Sequence, residues 1–332
     1  MVLNNEQIKS IAANCIDVRT RANGRAQVIR FTDKQIEVYK AGNFIAQPPC
    51  APCACFDFTY DGEIISFEFD VISKTSRNFL SFDLYDGDVM VHSLFTYADS
   101  EGQRQFFYKF PNKKERRVRL FLPFSCTTEI WNFTLDDGSH FTPTSTEGRL
   151  KMLFLGDSIT HGYDTHYTSM SYAATIARHY DAVCLNHGVG GYVFKAESLD
   201  EELPFTPDVI TVAYGTNDWG RYGADEVKYR AAADTFFARL CEIYPNARIF
   251  GILPVWRDDE NRRPERMPFT RVYEILREVY AAHGVECIDG EKAVPQMRSF
   301  YSDGLHPNTI GQHVYGLAVI EALEKAGIKK NG

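Results

Sequence analysis

The sequence predicts an α/β chain in two parts: a parallel sheet wound with helices on both sides, preceded by an antiparallel β-sandwich. Three observations carry this. Residues 26–132 form a run of short alternating or aromatic segments separated by Asp-Gly, Gly-Asn and Pro-Asn turn signals. From residue 151 the pattern changes to short apolar segments alternating with longer stretches of helical period. Between them, "FTPTSTEGR" (residues 141–149) is polar and turn-rich and reads as a linker. The expected division is an accessory domain at residues 1–145 and a second domain at 150–328. A chain of 332 residues is long enough for each to bury a core of its own.

In the first part, "AQVIRF", "QIEVYK", "CFDFTY", "ISFEFDVI", "RQFFYKF", "RVRLFLP" and "EIWNFTL" each read as strands. Helical patterning there is confined to residues 6–13. In the second part, strands are expected at residues 151–155, 182–186, 208–214, 248–255 and 285–288. These are mostly apolar, as parallel strands buried on both faces should be. The clearest helices are residues 224–244, residues 264–284, which open with prolines and close on Gly284, and residues 309–327, which close on Gly327. A sheet of this kind places its site at the carboxyl ends of the strands.

Composition narrows the function classes. Apolar content of 44% is that of a globular chain, and the 14% aromatic share suits β-rich packing or contact with carbohydrate. A formal charge of −8 argues against a nucleic-acid partner. The basic run "KKERRVR" (residues 113–119) reads as a solvated hairpin flank. The first residues lack the basic and apolar regions of a signal peptide, and no apolar run reaches bilayer length. The expectation is a soluble, cytoplasmic protein with no membrane partner, its eight cysteines reduced. "CAPCAC" brings Cys50, Cys53 and Cys55 together, but no second C-x-x-C or H-x-x-x-H accompanies it, so thiols without a metal are expected. Aromatic β-rich accessory domains often pack against a partner, which leaves homo-oligomerisation open.

Polar and glycine residues collect at four places beside predicted strand ends or helix starts. "GDSIT" places Ser158 after the first strand, either as a helix N-cap or as a nucleophile presented by a tight strand-to-helix turn. "NHGVGGY" (residues 186–192) follows the second strand, where glycines let backbone N–H groups face a ligand. "YGTNDW" (residues 214–219) follows the third, and Asn217 is either a turn residue or an amide donor to a developing oxyanion. "SDGLHPN" (residues 302–308) precedes the last helix, and its Asp303 and His306 are spaced so that the carboxylate can hold the imidazole's tautomer. Together they offer a nucleophile, a base with its orienter, and oxyanion donors.

In these four ordered blocks, "GDSIT", "NHGVGG", "GTND" and "DGLHPN", residues 151–326 resemble the SGNH (GDSL-type) hydrolases. The resemblance implies a flavodoxin-like three-layer α/β/α domain. It also implies Ser158 as nucleophile, His306 as general base and Asp303 as its orienter. The implied oxyanion hole is made of the Ser158 N–H, Gly191 (with Gly190 adjacent) and Asn217. Ile159 replaces the leucine of the GDSL name, at a packing position. The first part is similar to the jelly-roll-like β-sandwich that precedes this domain in some carbohydrate acetyl esterases. The expected reaction is hydrolysis of a short acyl ester, acetyl on a carbohydrate, through an acyl-enzyme without metal or organic cofactor. Trp219, Tyr222 and Trp256 are candidate walls for a sugar, and Arg257 a candidate contact for an anionic group. A thioesterase or general short-chain carboxylesterase would use the same machinery. A carbohydrate-binding protein on a hydrolase scaffold is the non-enzyme alternative.

Overall fold

A computed structural model describes residues 1–100 and 104–330. Two compact units emerge, one of residues 1–30, 45–148 and 166–169, the other of residues 31–44, 149–165 and 170–332.

The first unit holds two antiparallel sheets. One orders its strands as Ala12–Ala13, Cys55–Tyr60, Arg116–Phe121, Phe79–Asp86 and Val89–Tyr97, with Phe141–Pro143 also pairing to Cys55–Tyr60. The other orders Asp17–Thr20, Ala26–Ile29, Cys126–Leu135, Ile64–Lys74 and Gln105–Lys109. Alternation along Ile64–Lys74 sends Ile65, Phe67 and Phe69 into a core shared with Phe82, Phe106 and Phe133. Phe67 stacks on Phe106 at 5.0 Å and on Phe133 at 5.4 Å.

Two local expectations, for the basic run and the linker, change here. The basic run is not a solvated flank throughout, since Arg116 and Arg119 are buried within a strand. Arg116 donates to the Asn112 carbonyl, Arg117 forks onto Asp57 and Arg119 meets Asp88; central strand positions demanded partners for these cations. The supposed linker begins as a strand, and Thr144 hydrogen-bonds Asp57 at 2.8 Å. Cys50, Cys53 and Cys55 are buried, and burial pushes the Cys50 thiol up to about 12, which makes it a poor nucleophile.

The second unit is built on a five-stranded parallel sheet ordered Val183–Gly188, Lys151–Gly156, Val209–Ala213, Arg248–Ile252 and Glu286–Ile288. In chain order this is 2-1-3-4-5, the doubly wound flavodoxin-like arrangement. The first strand lies between the second and third, so the order reverses there and the carboxyl ends of these three strands converge. The helices Glu226–Ile243, Phe269–Ala282 and Thr309–Lys325 fall where the sequence placed them, and Tyr172–Tyr180 adds a shorter one.

"QIEVYK" is a correction: it lies in the helix Asp33–Ala41, not in a strand. Thr32 and Gln35 form a capping box, and Gln35 and Tyr39, four apart, share the buried face. Three alternating residues are too few to separate the two periods. This helix clusters with the second unit, where Tyr39 and Phe44 bracket the ring of Tyr192 at 4.8 and 5.0 Å. No helix among the described residues is long and apolar enough to cross a membrane.

Candidate active site

Ser158 opens a single helical turn, Ser158–His161, directly after the strand Lys151–Gly156. Asp157 caps it by accepting the Ile159 N–H at 3.0 Å, and Gly162 ends it in a left-handed conformation (φ 103°). A turn this tight needs its neighbours close. A side chain at Gly188 would sit 2.3 Å from the His161 nitrogen, so the second strand must end in glycine for the turn to lie against it. Asn186 ties the same two segments, donating to the Thr160 carbonyl at 2.7 Å and accepting the Gly188 N–H at 2.8 Å.

His306 comes from the loop before the last helix. Its Nε2 lies 2.8 Å from Ser158 Oγ and its Nδ1 2.8 Å from Asp303 Oδ2. Asp303 Oδ1 accepts the backbone N–H of Leu305 and of His306, at 3.0 and 2.8 Å. Burial by itself raises this carboxyl. Hydrogen bonds from the His306 ring N–H and from the His306 and Leu305 backbone N–H groups hold it well below the usual carboxylate range. An ionised carboxylate can only accept, so the Nδ1 facing it carries the proton and Nε2 is left to accept the Ser158 hydroxyl hydrogen. The sequence-predicted Ser158, His306 and Asp303 are thus assembled in one hydrogen-bonded chain.

Gly191 is the third residue of a turn closed by the Tyr192 N–H on the Val189 carbonyl at 3.0 Å. Its φ of 83° suits glycine, and it is exposed, whereas the adjacent Gly190 is buried beneath the Tyr163 ring. Asn217 stands in the first turn of the helix Thr216–Tyr222, after the third strand. Its Nδ2 donates one hydrogen to the Tyr192 carbonyl at 3.1 Å, which fixes the amide plane and leaves a second hydrogen to offer.

The four candidate substrate contacts divide. Trp219 is fully buried, its Nε1 donating to the Met267 carbonyl at 2.9 Å, so it offers no wall to a sugar. Arg257 is also buried. It forks onto Asp259 at 2.5 and 3.1 Å, donates to Thr216 Oγ1 at 2.9 Å, and lies over the Trp219 ring. Its hydrogen-bonding capacity is turned toward the protein. Tyr222 and Trp256 are half-buried, and Trp256 packs edge-on against Tyr301 at 5.2 Å. A cleft of about 450 Å³ lies beside the triad loop, lined by Arg257, Asp258, Arg262, Arg263, Asp303 and Gly304 among others, so one edge of Arg257 borders it.

Several positioning residues escaped the sequence reading. Gln312, buried in the last helix, donates to the carbonyls of Ile159 and Tyr163 at 3.2 and 3.4 Å and accepts the Tyr172 N–H at 3.0 Å. It connects the helix behind His306 to the turn bearing Ser158. Its signal was a lone amide in an apolar helix face. Asp218 accepts the Phe194 and Gly215 N–H groups at 2.9 and 3.1 Å, joining the second and third loops. Burial pushes its carboxyl up to about 7, despite the Phe194 N–H bond and with the Asp157 charge adding to the rise. Asp157 is itself pushed up to about 6 by burial, opposed by the Ile159 N–H and the charge of Arg257. Asp164 places a second carboxylate 3.8 Å from His306 Nδ1.

The fold recurs among solved structures. A salicylyl-acyltransferase, SsfX3, from a tetracycline biosynthetic pathway superposes with a TM-score of 0.81 at 15% identity, covering 97% of this chain and 96% of its own. An acetyl xylan esterase (Est2A) from the rumen bacterium Butyrivibrio proteoclasticus gives 0.67 at 15% identity, covering 98% of each chain. A carbohydrate esterase family 2 enzyme with a carbohydrate binding domain, from Corynascus thermopiles (Myceliophthora fergusii), gives 0.64 at 17% identity, with coverage of 83% and 94%. At such identity the likeness speaks to the fold. No curated protein sequence matches the chain. Residues 154–314, which carry the serine turn, both glycine and asparagine loops and the Asp303–His306 loop, match the model of the GDSL-like lipase/acylhydrolase family.

Proposed function

We propose that this protein is a serine esterase that hydrolyses short acyl esters, acetyl on a carbohydrate, through an acyl-enzyme. The observation that carries the reading is the unbroken Ser158–His306–Asp303 chain, with both hydrogen bonds at 2.8 Å. His306 Nε2 takes the hydroxyl proton as Ser158 Oγ attacks the ester carbonyl carbon. The negative charge on the carbonyl oxygen is met by the Ser158 N–H, the Gly191 N–H and the second amide hydrogen of Asn217. The C–O bond then breaks, the alcohol leaves with the proton from His306, and an acyl-Ser158 ester remains. Water, deprotonated by the same nitrogen, releases the acid and restores Ser158.

The acetyl-sugar assignment is supported by the acetyl xylan esterase and carbohydrate esterase among the proteins of like fold. With Trp219 and Arg257 buried, Trp256 and Tyr222 are the aromatic residues left to meet a sugar face. The salicylyl-acyltransferase of like fold suggests a second acceptor for the acyl-enzyme, an alcohol in place of water. The test is turnover of p-nitrophenyl acetate and of acetylated sugars, with and without added alcohols, with Ser158→Ala as control. Fluorophosphonate labelling at Ser158 and release of acetate from the sugar are expected. Absence of an adduct on the folded protein would sink the reading and favour a binding role. Ester appearing on an added alcohol in preference to free acid would reassign the enzyme to acyl transfer.

A further inference from the structure

The imidazole of His306 faces two carboxylates. Asp303 Oδ2 makes the hydrogen bond to Nδ1 at 2.8 Å, and Asp164 Oδ2 stands 3.8 Å from the same nitrogen. The carboxylates differ in setting. The Asp303 side chain is 48% exposed, whereas that of Asp164 is 12% exposed and the His306 ring 13%. An exposed carboxylate is screened by water, and a sheltered one at nearly the same range acts on the ring with its charge less diminished. Asp164 also arrives on a fixed backbone. It lies two residues beyond the glycine that ends the serine turn and takes a left-handed conformation (φ 67°), which a non-glycine residue adopts at a cost unless the surroundings require it.

Resting on the Ser158–His306 reading, we infer that Asp164 is a positioning residue of the esterase reaction, a second counter-charge to the His306 imidazolium. When Ser158 Oγ attacks, its proton passes to Nε2 and the ring carries a proton on each nitrogen. The positive charge exists only from that step until the proton leaves with the alcohol. Asp303 holds the Nδ1 proton in a hydrogen bond. Asp164 accepts no proton and forms no bond in the step; its charge lowers the energy of the ion pair that forms. A charge acting on a species that exists only past the ground state affects kcat and leaves substrate binding alone. The same carboxylate is near enough to take the Nδ1–H after a small ring rotation, so it can partly replace Asp303.

Asp164→Asn isolates this. Asparagine has the same shape and tolerates the left-handed region, so the substitution removes charge without forcing the backbone. In the full-length protein with p-nitrophenyl acetate, Asp164→Asn is expected to lower kcat about tenfold, equivalent to about 1.4 kcal/mol in the barrier, with KM and melting temperature unchanged. In an Asp303→Ala background, where Asp164 is the remaining carboxylate, the further loss should be larger than in the wild type. A kcat unchanged from the parent protein on adding Asp164→Asn, in the wild type and in Asp303→Ala alike, overturns the proposal. So does a loss that comes with a matching fall in melting temperature, which would mark Asp164 as structural. If Ser158→Ala or His306→Ala keeps full turnover, the esterase reading itself fails, a result separate from either outcome for Asp164.

Discussion

The guanidinium of Arg257 lies 4.6 Å from the centre of the Trp219 ring, with Arg266 also over that ring at 4.9 Å. Trp219 belongs to the helical turn that presents Asn217, and Arg257 also grips Thr216 in the same turn. Two residues whose chemistry suggests ligand contact therefore brace the loop that offers the amide. Replacing Arg257 with alanine leaves Asp259 without its forked partner and strips the cation from Trp219. A loss of about 3 kcal/mol of stability is expected, as for other broken buried pairs. Lysine restores charge but not the planar fork, so Arg257→Lys should recover less than half. Urea denaturation of the three proteins measures this; a lysine variant as stable as the wild type would show that charge alone suffices.

Asn217→Ala removes the amide already oriented by the Tyr192 carbonyl. A donor aimed at a developing oxyanion is worth roughly 10²–10³ in kcat, so turnover should fall by that factor while KM moves little. Steady-state kinetics on p-nitrophenyl acetate reads both. Near-normal kcat would remove Asn217 from the oxyanion hole and leave the hole to backbone donors.

Asp218 gives the stability a pH dependence of unusual sign. Its carboxyl is pushed from an ordinary 3.8 up to about 7 by burial. Between those values the unfolded chain has lost the proton while the folded chain keeps it. The unfolded state therefore binds fewer protons, and the contribution to stability declines as pH rises through this window. Asp157, raised to about 6, adds a decline of the same sign over a narrower range. Asp303, held low, acts oppositely, its contribution being lost only as pH falls below its ordinary 3.8. Asp218→Asn costs one hydrogen bond at every pH, so the informative quantity is the slope. Urea stabilities at about pH 4.5 and about pH 7.5 should show a flatter decline in the variant; equal slopes would mean that Asp218 titrates normally.

What the sequence made legible follows the range of the physics involved. Ser158, Gly191, Asn217 and the Asp303–His306 pair each sit where a strand ends or a helix begins, and those boundaries are set by local periodicity. The helix Asp33–Ala41 was misread because its cap is local but its buried face is set by Tyr192, far along the chain. Trp219 was misread because composition cannot tell an aromatic side chain turned inward from one turned outward. Asp164 was overlooked because nothing in "THGYDT" marks the left-handed residue that brings its carboxylate back toward His306.

Gln312 offers the sharpest test of how the base is kept in register with the nucleophile. Its side chain is fully buried, and both ends of its amide are engaged: Nε2 with the Ile159 and Tyr163 carbonyls, Oε1 with the Tyr172 N–H. Ile159 follows the nucleophile directly, and the helix carrying Gln312 begins three residues after His306. Gln312→Ala removes three buried hydrogen bonds and opens a small void. The expected cost is about 2–4 kcal/mol, the range for lost buried hydrogen bonds with an added cavity. Gln312→Glu keeps the volume and one acceptor but places a carboxylate against two carbonyl oxygens, so it should be no better than alanine. Because either change loosens the last helix against the serine turn, kcat should fall in both at temperatures where the variants remain folded. Thermal melts and kinetics on the same samples separate the two effects. A Gln312→Ala variant that is destabilised yet fully active while folded would show that the Ser158–His306 register is held by the Ser302–His306 loop alone, through its Ser302 N–H to His306 carbonyl bond at 2.9 Å.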